Sequence, residues 1–185
     1  IGGINNLLSP FFPAGFYYKT FMWPASFWEK YEFFIRHSAG LGKSPTVSDP
    51  DIYDHRNVHC DVLVIGAGIS GILAAKNAAK NNFKTLLVDE KNELGGSTIY
   101  ENNEFNKIDN KTPSEWLKKE IEELKSIKNL EIKTRTSVAA YHQYNYLLAR
   151  ENLTDHLEAK DKTNKIRQRL LKIRAKKVIL ATGSL

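Results

Sequence analysis

The stretch Asp61-Val-Leu-Val-Ile-Gly-Ala-Gly-Ile-Ser-Gly71 constrains this chain more than any other. Val62 to Ile65 is a short, β-branched, apolar run of the kind that forms a strand buried on both faces. It stops at Gly66-Ala67-Gly68, and an alanine-rich stretch from Ile69 to about Lys80 reads as a helix. Strand, tight glycine turn and helix, in that order, give the G-x-G-x-x-G pattern its meaning as a dinucleotide site. Gly66 allows the sharp turn, Gly68 lets the backbone approach a pyrophosphate, and Gly71 lets the helix pack closely on the strand. The free N–H groups at the helix start, around Ile69 and Ser70, then face the phosphates. A second strand, Thr85 to Val88, ends in Asp89-Glu90, with Glu90 nineteen residues after Gly71. An acid there accepts hydrogen bonds from the two hydroxyls of an adenosine ribose. Glu90 is the expected ligand, with Asp89 and Lys91 beside it. Two carboxylates at that point repel a 2′-phosphate, which favours NAD or FAD over NADP.

Two later segments fit the same site. Leu94-Gly95-Gly96-Ser97 follows the acid, where paired glycines let the chain pass close to a cofactor and Ser97 can bond a phosphate or ribose oxygen. Lys177-Val-Ile-Leu-Ala-Thr-Gly183 reads as another buried strand ending in Ala181-Thr182-Gly183, whose turn returns beside the first glycine turn. Ligands bind at such crossings in open α/β sheets.

Between these lie more conventional elements. Thr112-Pro-Ser-Glu115 opens a helix with a capping box, and Leu117, Ile121, Leu124 and Lys128 share one face. Leu130 to Val138 alternates with period two and reads as a third strand. Tyr141 to Arg150 and Arg167 to Arg174 read as strands of a solvent-facing antiparallel meander joined by a polar linker. The expected fold is therefore α/β: a Rossmann-like FAD/NAD(P)-binding fold with a parallel sheet and an inserted antiparallel β-meander, preceded by an aromatic-rich extended arm. Residues 1–58 form the arm and linker, and 59–185 the dinucleotide-binding domain, truncated at its C-terminus.

The arm is unusual. Residues 1–34 hold twelve of the twenty aromatics, without regular spacing. Pro10, Pro13 and Lys19 interrupt any membrane span, and neither signal peptide nor spanning helix is supported. Helix is confined to Ser26 to Phe34 at most, and so much aromatic surface is expected to cover a partner or another domain. Ala39 to Asn57, with Pro45 and Pro50, reads as poor in regular structure. His37 and His55 are isolated, with solvent or a backbone carbonyl as the expected partner.

Cys60 is the single cysteine, so disulfide scaffolds and multi-cysteine metal sites are excluded and a reducing cytoplasm fits. Its place before the first strand is that of a buried structural thiol. The net charge of +6 resides in Lys160 to Lys177, a run without the motif or interleaved aromatics of a nucleic-acid surface. The chain opens on Ile1 rather than Met and ends just past a strand, which reads as a fragment lacking sequence at both ends.

Several stretches together resemble the α subunit of heterotetrameric sarcosine oxidase. They include Phe16-Tyr-Tyr-Lys-Thr-Phe-Met-Trp-Pro24, Trp28-Glu-Lys-Tyr31, His59 to Gly68, Val88-Asp-Glu90 with Leu94-Gly-Gly-Ser97, Thr134-Arg-Thr136, Thr154-Asp-His-Leu157 and Val178 to Gly183. The aromatic stretch is the specific part, since many flavoproteins share the glycine motif. The resemblance implies a far longer subunit, with a ferredoxin-like domain before this piece and a folate-binding domain after it. It implies a complex with β, γ and δ subunits, FAD in the β subunit, and FMN at the subunit boundary. Sarcosine would be oxidatively demethylated to glycine, its electrons passing to oxygen to give hydrogen peroxide and its one-carbon fragment passing to tetrahydrofolate to give 5,10-methylenetetrahydrofolate. In this domain it implies NAD as a fixed ligand, lined by Gly66, Ala67, Gly68, Gly71, Glu90, Gly96, Ser97, Ala181, Thr182 and Gly183, with the Val138 backbone at the adenine. Ile69-Ser70 departs from the Pro-Ala common in the family, which the turn tolerates. No catalytic or metal-binding residue falls within this piece, and neither nucleic acid nor membrane is an expected partner. Two alternatives stand beside this: an independent FAD-dependent NAD(P)H oxidoreductase, weakened by the absence of a cysteine redox pair, and a related proline- or opine-oxidising complex. A non-enzymatic interaction domain is a third.

Overall fold

The computed structural model describes residues 24–40, 42, 46–100, 107–158, 161 and 165–183. The expectations for residues 1–23, including most of the aromatic arm, lie outside the described residues. The chain forms two compact units, 1–49 and 50–185.

In the first unit a short 3-10 turn at Ala25–Phe27 leads into helix α1, Trp28–Ser38. The helix runs four residues past the expected limit of Phe34. Ile35-Arg-His-Ser contains no breaker, and Arg36 and His37 suit the negative end of the helix dipole. Arg36 pairs with Glu32 one turn back. Phe27, Trp28, Phe33 and Phe34 are exposed, and the His37 ring stacks on Phe33 at 5.7 Å rather than meeting a backbone carbonyl.

The second unit is built on a six-stranded sheet, in the order β3-β2-β1-β6-β5-β4. Its strands are β1 (Ile52–Ile65), β2 (Thr85–Val88), β3 (Leu130–Lys133), β4 (Thr136–His142), β5 (Tyr146–Asn152) and β6 (Ile166–Leu180). Helix α2 spans Ile69–Lys80 and α3 spans Pro113–Ser126. β1 pairs in parallel with β2 and β6, and β2 with β3, while β4, β5 and β6 are antiparallel. The parallel sheet with an inserted meander is thus present.

Alternation along the strands assigns two cores. Val62, Val64 and Leu87 meet Ile72 and Ala75 of α2 and Trp116, Leu117 and Leu124 of α3. Leu63, Leu86 and Val88 point the other way, against Leu147, Ala149, Leu171 and Ile173 of the meander. Val62 to Val64 are therefore buried from both sides, each apolar side chain contributing roughly 1.5–3 kcal/mol. The meander is not simply solvent-facing: its inner face, Leu147, Ala149, Leu171 and Ile173, is completely buried.

Several expectations need correction. β1 begins at Ile52, so the supposed linker 39–57 ends in strand and the boundary at 58/59 falls inside β1. The polar run Asp54-His-Arg-Asn57 conceals this, because its strand is specified by thirteen paired residues of β6 rather than by its own pattern. Ion pairs reinforce the pairing: Asp54 with Arg169 at 2.7 Å and Asp51 with Arg167 at 2.5 Å.

The expected strand 130–138 is two strands. Pairing with β2 ends at Lys133, and Arg135 at φ 51° turns the chain into β4. The meander strands expected at 141–150 and 167–174 are also redrawn. Tyr144 and Asn145, both at positive φ, form the β4–β5 turn, and β6 runs unbroken through Lys177. Cys60 and Leu63 lie in one core, as do Ala175 and Val178, so β1 and β6 switch parity together at Asp61 and Lys176. Those two residues form an ion pair at 2.7 Å.

The capping box of α3 is present, with Thr112 Oγ1 accepting from the Glu115 N–H and Glu115 Oε2 accepting from the Thr112 N–H. Lys128 lies beyond the helix end, not on its apolar face. Glu120 is buried rather than solvated, and it accepts from Lys76 Nζ of α2 at 2.6 Å. Lys76 also reaches Glu123 at 2.7 Å. That hydrogen bond is the main reason the Glu123 carboxyl falls to about 2. The basic stretch of β6 is neutralised in its first half, since Arg167 also holds Asp155 and Arg169 also holds Glu151.

Candidate functional site

The glycine turn sits where β1 ends and α2 begins. Gly66 has φ 98°, a conformation that suits glycine, and its N–H donates to the Val88 carbonyl at 2.8 Å. A Cβ on Gly66 would sit 2.3 Å from the Ala181 carbonyl oxygen, so the end of β6 closes directly on the turn. The Ala181 N–H completes that closure by donating to the Ile65 carbonyl at 2.8 Å. Gly71 is as constrained, because its Cβ would lie 1.8 Å from the Gly66 carbonyl oxygen.

Gly68 is different. It is the N-cap of α2, with extended backbone and no side chain capping the helix. A Cβ there would meet nothing within 4 Å. Helix starts leave N–H groups without intrahelical partners, here those of Ile69, Ser70 and Gly71, since the first bond within the helix is from Ile72 to the Gly68 carbonyl. An open glycine before an uncapped helix start is a cradle that accepts an anion, a pyrophosphate included.

The chain after β2 is fastened to this turn. Asp89 Oδ2 accepts the Ala67 N–H at 2.5 Å and Oδ1 accepts the Lys91 N–H at 2.8 Å. Asp89 therefore holds the turn together, and Glu90 is the carboxylate of the pair that these bonds leave uncommitted. Glu90 is exposed and makes no hydrogen bond or ion pair among the described residues. Removing Asp89 from that edge undercuts the expectation that two carboxylates jointly repel a 2′-phosphate. Gly95 donates its N–H to the Ala67 carbonyl at 2.7 Å, and Gly96, at φ 58°, passes so near that its Cβ would be 3.1 Å from Gly68 Cα. Ser97, Thr182 and Gly183 are exposed at the adjoining chain ends, and Lys91 lies 5.9 Å over the Tyr100 ring.

The third side comes from the β3–β4 corner. The Thr136 N–H donates to the Asp89 carbonyl at 2.7 Å and the Arg135 N–H to the Lys91 carbonyl at 2.8 Å. Sequence reasoning missed Arg135, because nothing in a period-two pattern marks the residue at which a strand turns. Val138 follows on β4 at an irregularity in its pairing with β5, its side chain packed on the meander core.

Two hollows of about 160 and 330 Å³ lie elsewhere, lined by Val58, His59, Lys84 and Glu131 among others. They lie beside the middle of β1 and the start of β2, away from the glycine turn at the C-terminal end of β1. Cys60 lines the smaller one, and burial pushes its thiol up to about 11. Among the described residues no cluster of His, Cys, Asp or Glu could hold a metal ion, and no helix is long and apolar enough to cross a membrane.

This geometry is that of a nucleotide-binding oxidoreductase domain. The chain belongs to the pyridine nucleotide-disulphide oxidoreductase family, whose pattern matches residues 60–185. Over all 185 residues it is 42% identical to the sarcosine oxidase subunit alpha of Rhizobium meliloti (strain 1021), of which it covers 18%. It is 37% identical over 146 residues to the sarcosine oxidase subunit alpha of Corynebacterium sp. (strain U-96), covering 79% of this chain and 15% of that protein. The chain thus spans less than a fifth of these relatives. Among solved structures, L-proline dehydrogenase from P. horikoshii superposes with a TM-score of 0.57 at 26% identity, covering 71% of this chain and 24% of that one.

Proposed function

We propose that this chain is the NAD-holding region of the α subunit of a heterotetrameric sarcosine oxidase. The open Gly68 at an uncapped helix start, with a free Glu90 carboxylate beyond β2, is the observation that carries the nucleotide site. Backbone N–H groups of Ile69 and Ser70 would bind the pyrophosphate, and Glu90 the ribose hydroxyls. Gly96 and Ser97 pass along the cofactor, and the Ala181-Thr182-Gly183 turn closes the other wall. Bound NAD supplies a nicotinamide ring capable of taking a hydride, held in this complex as a fixed ligand. No residue here is assigned a proton-transfer role.

The family pattern begins at residue 60, yet similarity to the Rhizobium protein extends through the aromatic segment before it. That segment lies ahead of the residues the family pattern matches, so its similarity favours the sarcosine oxidase α subunit over other members. In the whole complex, β, γ and δ subunits would complete the assembly, with FAD in the β subunit and FMN at the boundary. Molecular oxygen would take the two electrons removed from sarcosine and become hydrogen peroxide, while a folate domain beyond this piece would combine the released one-carbon unit with tetrahydrofolate as 5,10-methylenetetrahydrofolate, leaving glycine. A cytoplasmic location belongs to the same proposal, as do the aromatic-rich arm ahead of β1 as a contact surface and the absence of nucleic acid as a partner.

A second account has a specific observation behind it. The superposition on L-proline dehydrogenase favours a related proline-oxidising complex, with FAD in this domain as the alternative cofactor. Extraction of the nucleotide from the full-length protein, followed by mass spectrometry and absorption, tests both. Colourless NAD from the α subunit alone, with sarcosine-dependent peroxide from the complex, is expected. A yellow α subunit yielding FAD at this site would overturn the NAD assignment.

A further inference from the structure

We propose that Arg135 grips the adenine ring of the bound dinucleotide, its guanidinium lying flat on the base while Glu90 holds the adjoining ribose. This rests on the dinucleotide site proposed above.

Position comes first. The Arg135 N–H is bonded to the carbonyl of Lys91, the residue after the ribose acid, and its own carbonyl accepts the Asn152 N–H at 2.9 Å. Its backbone is thereby fixed one hydrogen bond from the strand end that carries Glu90. The adenine is attached to the ribose that Glu90 would hold, so Arg135 is on the wall the base meets.

Residue choice is the second observation. Six non-glycine residues among those described have positive φ, and four are Asn or Asp, which tolerate it. Arg135, at φ 51°, is one of the two that do not belong to that class. Backbone conformation alone would favour Gly or Asn there, so the side chain is what the position retains.

Partnership is the third. Arg36, Arg56, Arg167 and Arg169 each pair with a carboxylate, and Arg174 lies over the Tyr146 ring. Arg150 is exposed. Arg135 is half-buried, yet its guanidinium has no hydrogen bond, ion pair or ring contact among the described residues. A partly desolvated cation without a partner is unfavourable, and a planar guanidinium is suited to stacking on an aromatic face. Adenine is such a face.

The test uses the full-length protein, stripped of resident nucleotide with charcoal and titrated calorimetrically with NAD, ADP-ribose and NADP. Arg135→Asn and Arg135→Gly keep or relax the backbone while removing the guanidinium. Both should leave the ligand-free melting temperature unchanged or raised, and weaken NAD and ADP-ribose about three- to thirty-fold, the usual worth of a cation–π contact. Arg135→Lys should recover only part of that loss. Variants that bind NAD within twofold of wild type would overturn the proposal. So would a loss confined to NADP, which would assign Arg135 to a 2′-phosphate instead. Wild-type protein that binds none of the three would remove the dinucleotide site itself.

Discussion

The turn glycines can be separated by one substitution each. Gly68→Ala places a Cβ where nothing lies within 4 Å, on a backbone with φ −71° that alanine adopts freely. Restricting the unfolded chain gains about 0.4–1 kcal/mol, which offsets the similar cost of alanine in place of glycine at an N-cap, so the ligand-free protein should stay close to wild-type stability. Gly71→Ala places a Cβ 1.8 Å from a backbone oxygen of Gly66, where no rotamer change can relieve the clash. Either α2 or the turn must move, at about 1–3 kcal/mol or more. With roughly 2–4 °C per kcal/mol for a chain of this size, Gly71→Ala should melt about 2–12 °C lower, and Gly68→Ala close to wild type. Binding should rank differently. The Gly68 methyl projects into the space assigned to the pyrophosphate, so NAD affinity should fall at least tenfold despite unimpaired stability. Differential scanning fluorimetry with and without NAD reads both quantities. Equal destabilisation by the two substitutions, or wild-type affinity in Gly68→Ala, would refute the assignment of the open space to a ligand.

Other consequences follow from the packing. Cys60 is buried with its thiol raised to about 11, so at pH 8 only about a thousandth is thiolate and iodoacetamide should label it only after unfolding; rapid labelling of the native protein would contradict this. Glu123 is held near 2 by Lys76, below the 4.5 of a free glutamate. Its contribution is complete above about pH 4.5 and is lost as pH falls through about 2, so the melting gap between wild type and Glu123→Gln should close on acidification. A gap that stays constant between pH 7 and pH 2.5 would exclude the pairing. Thr112→Ala removes the cap of α3 and should cost about 0.5–2 kcal/mol, read as a shift in urea midpoint without a change in slope.

How much of this was legible in the sequence depended on whether an element carries its own instructions. The α2 span, the doubly buried run 62–65, β2 and the Thr112 cap are specified by local residue choice, and all are present. The first ten residues of β1 and the continuity of β6 are specified by each other. Asp54, His55, Arg56 and Asn57 read as loop until Arg169 to Lys172 are placed beside them. The parity switch at Asp61 and Lys176 hid the union of the third meander strand with the last parallel strand, because it disrupts period-two counting in both. At the site, spacing alone picks out the turn glycines and nominates Glu90 as the proposed ribose ligand. Asp89's inward bonds to Ala67 and Lys91, and the approach of Arg135, depend on how β2 and β3 end, which no spacing records.

The central claim is that an adenine dinucleotide lies across the start of α2 with its ribose on Glu90. Hydrogen exchange of the stripped full-length protein, with and without NAD, tests it most directly. Added NAD should slow exchange at the amides of Gly68 to Gly71 and at 89–91, with the meander face around Leu147 unchanged. Glu90→Gln should diminish the effect. Protection that appears instead around Val58 to Cys60 and Lys84, or nowhere, would contradict the account.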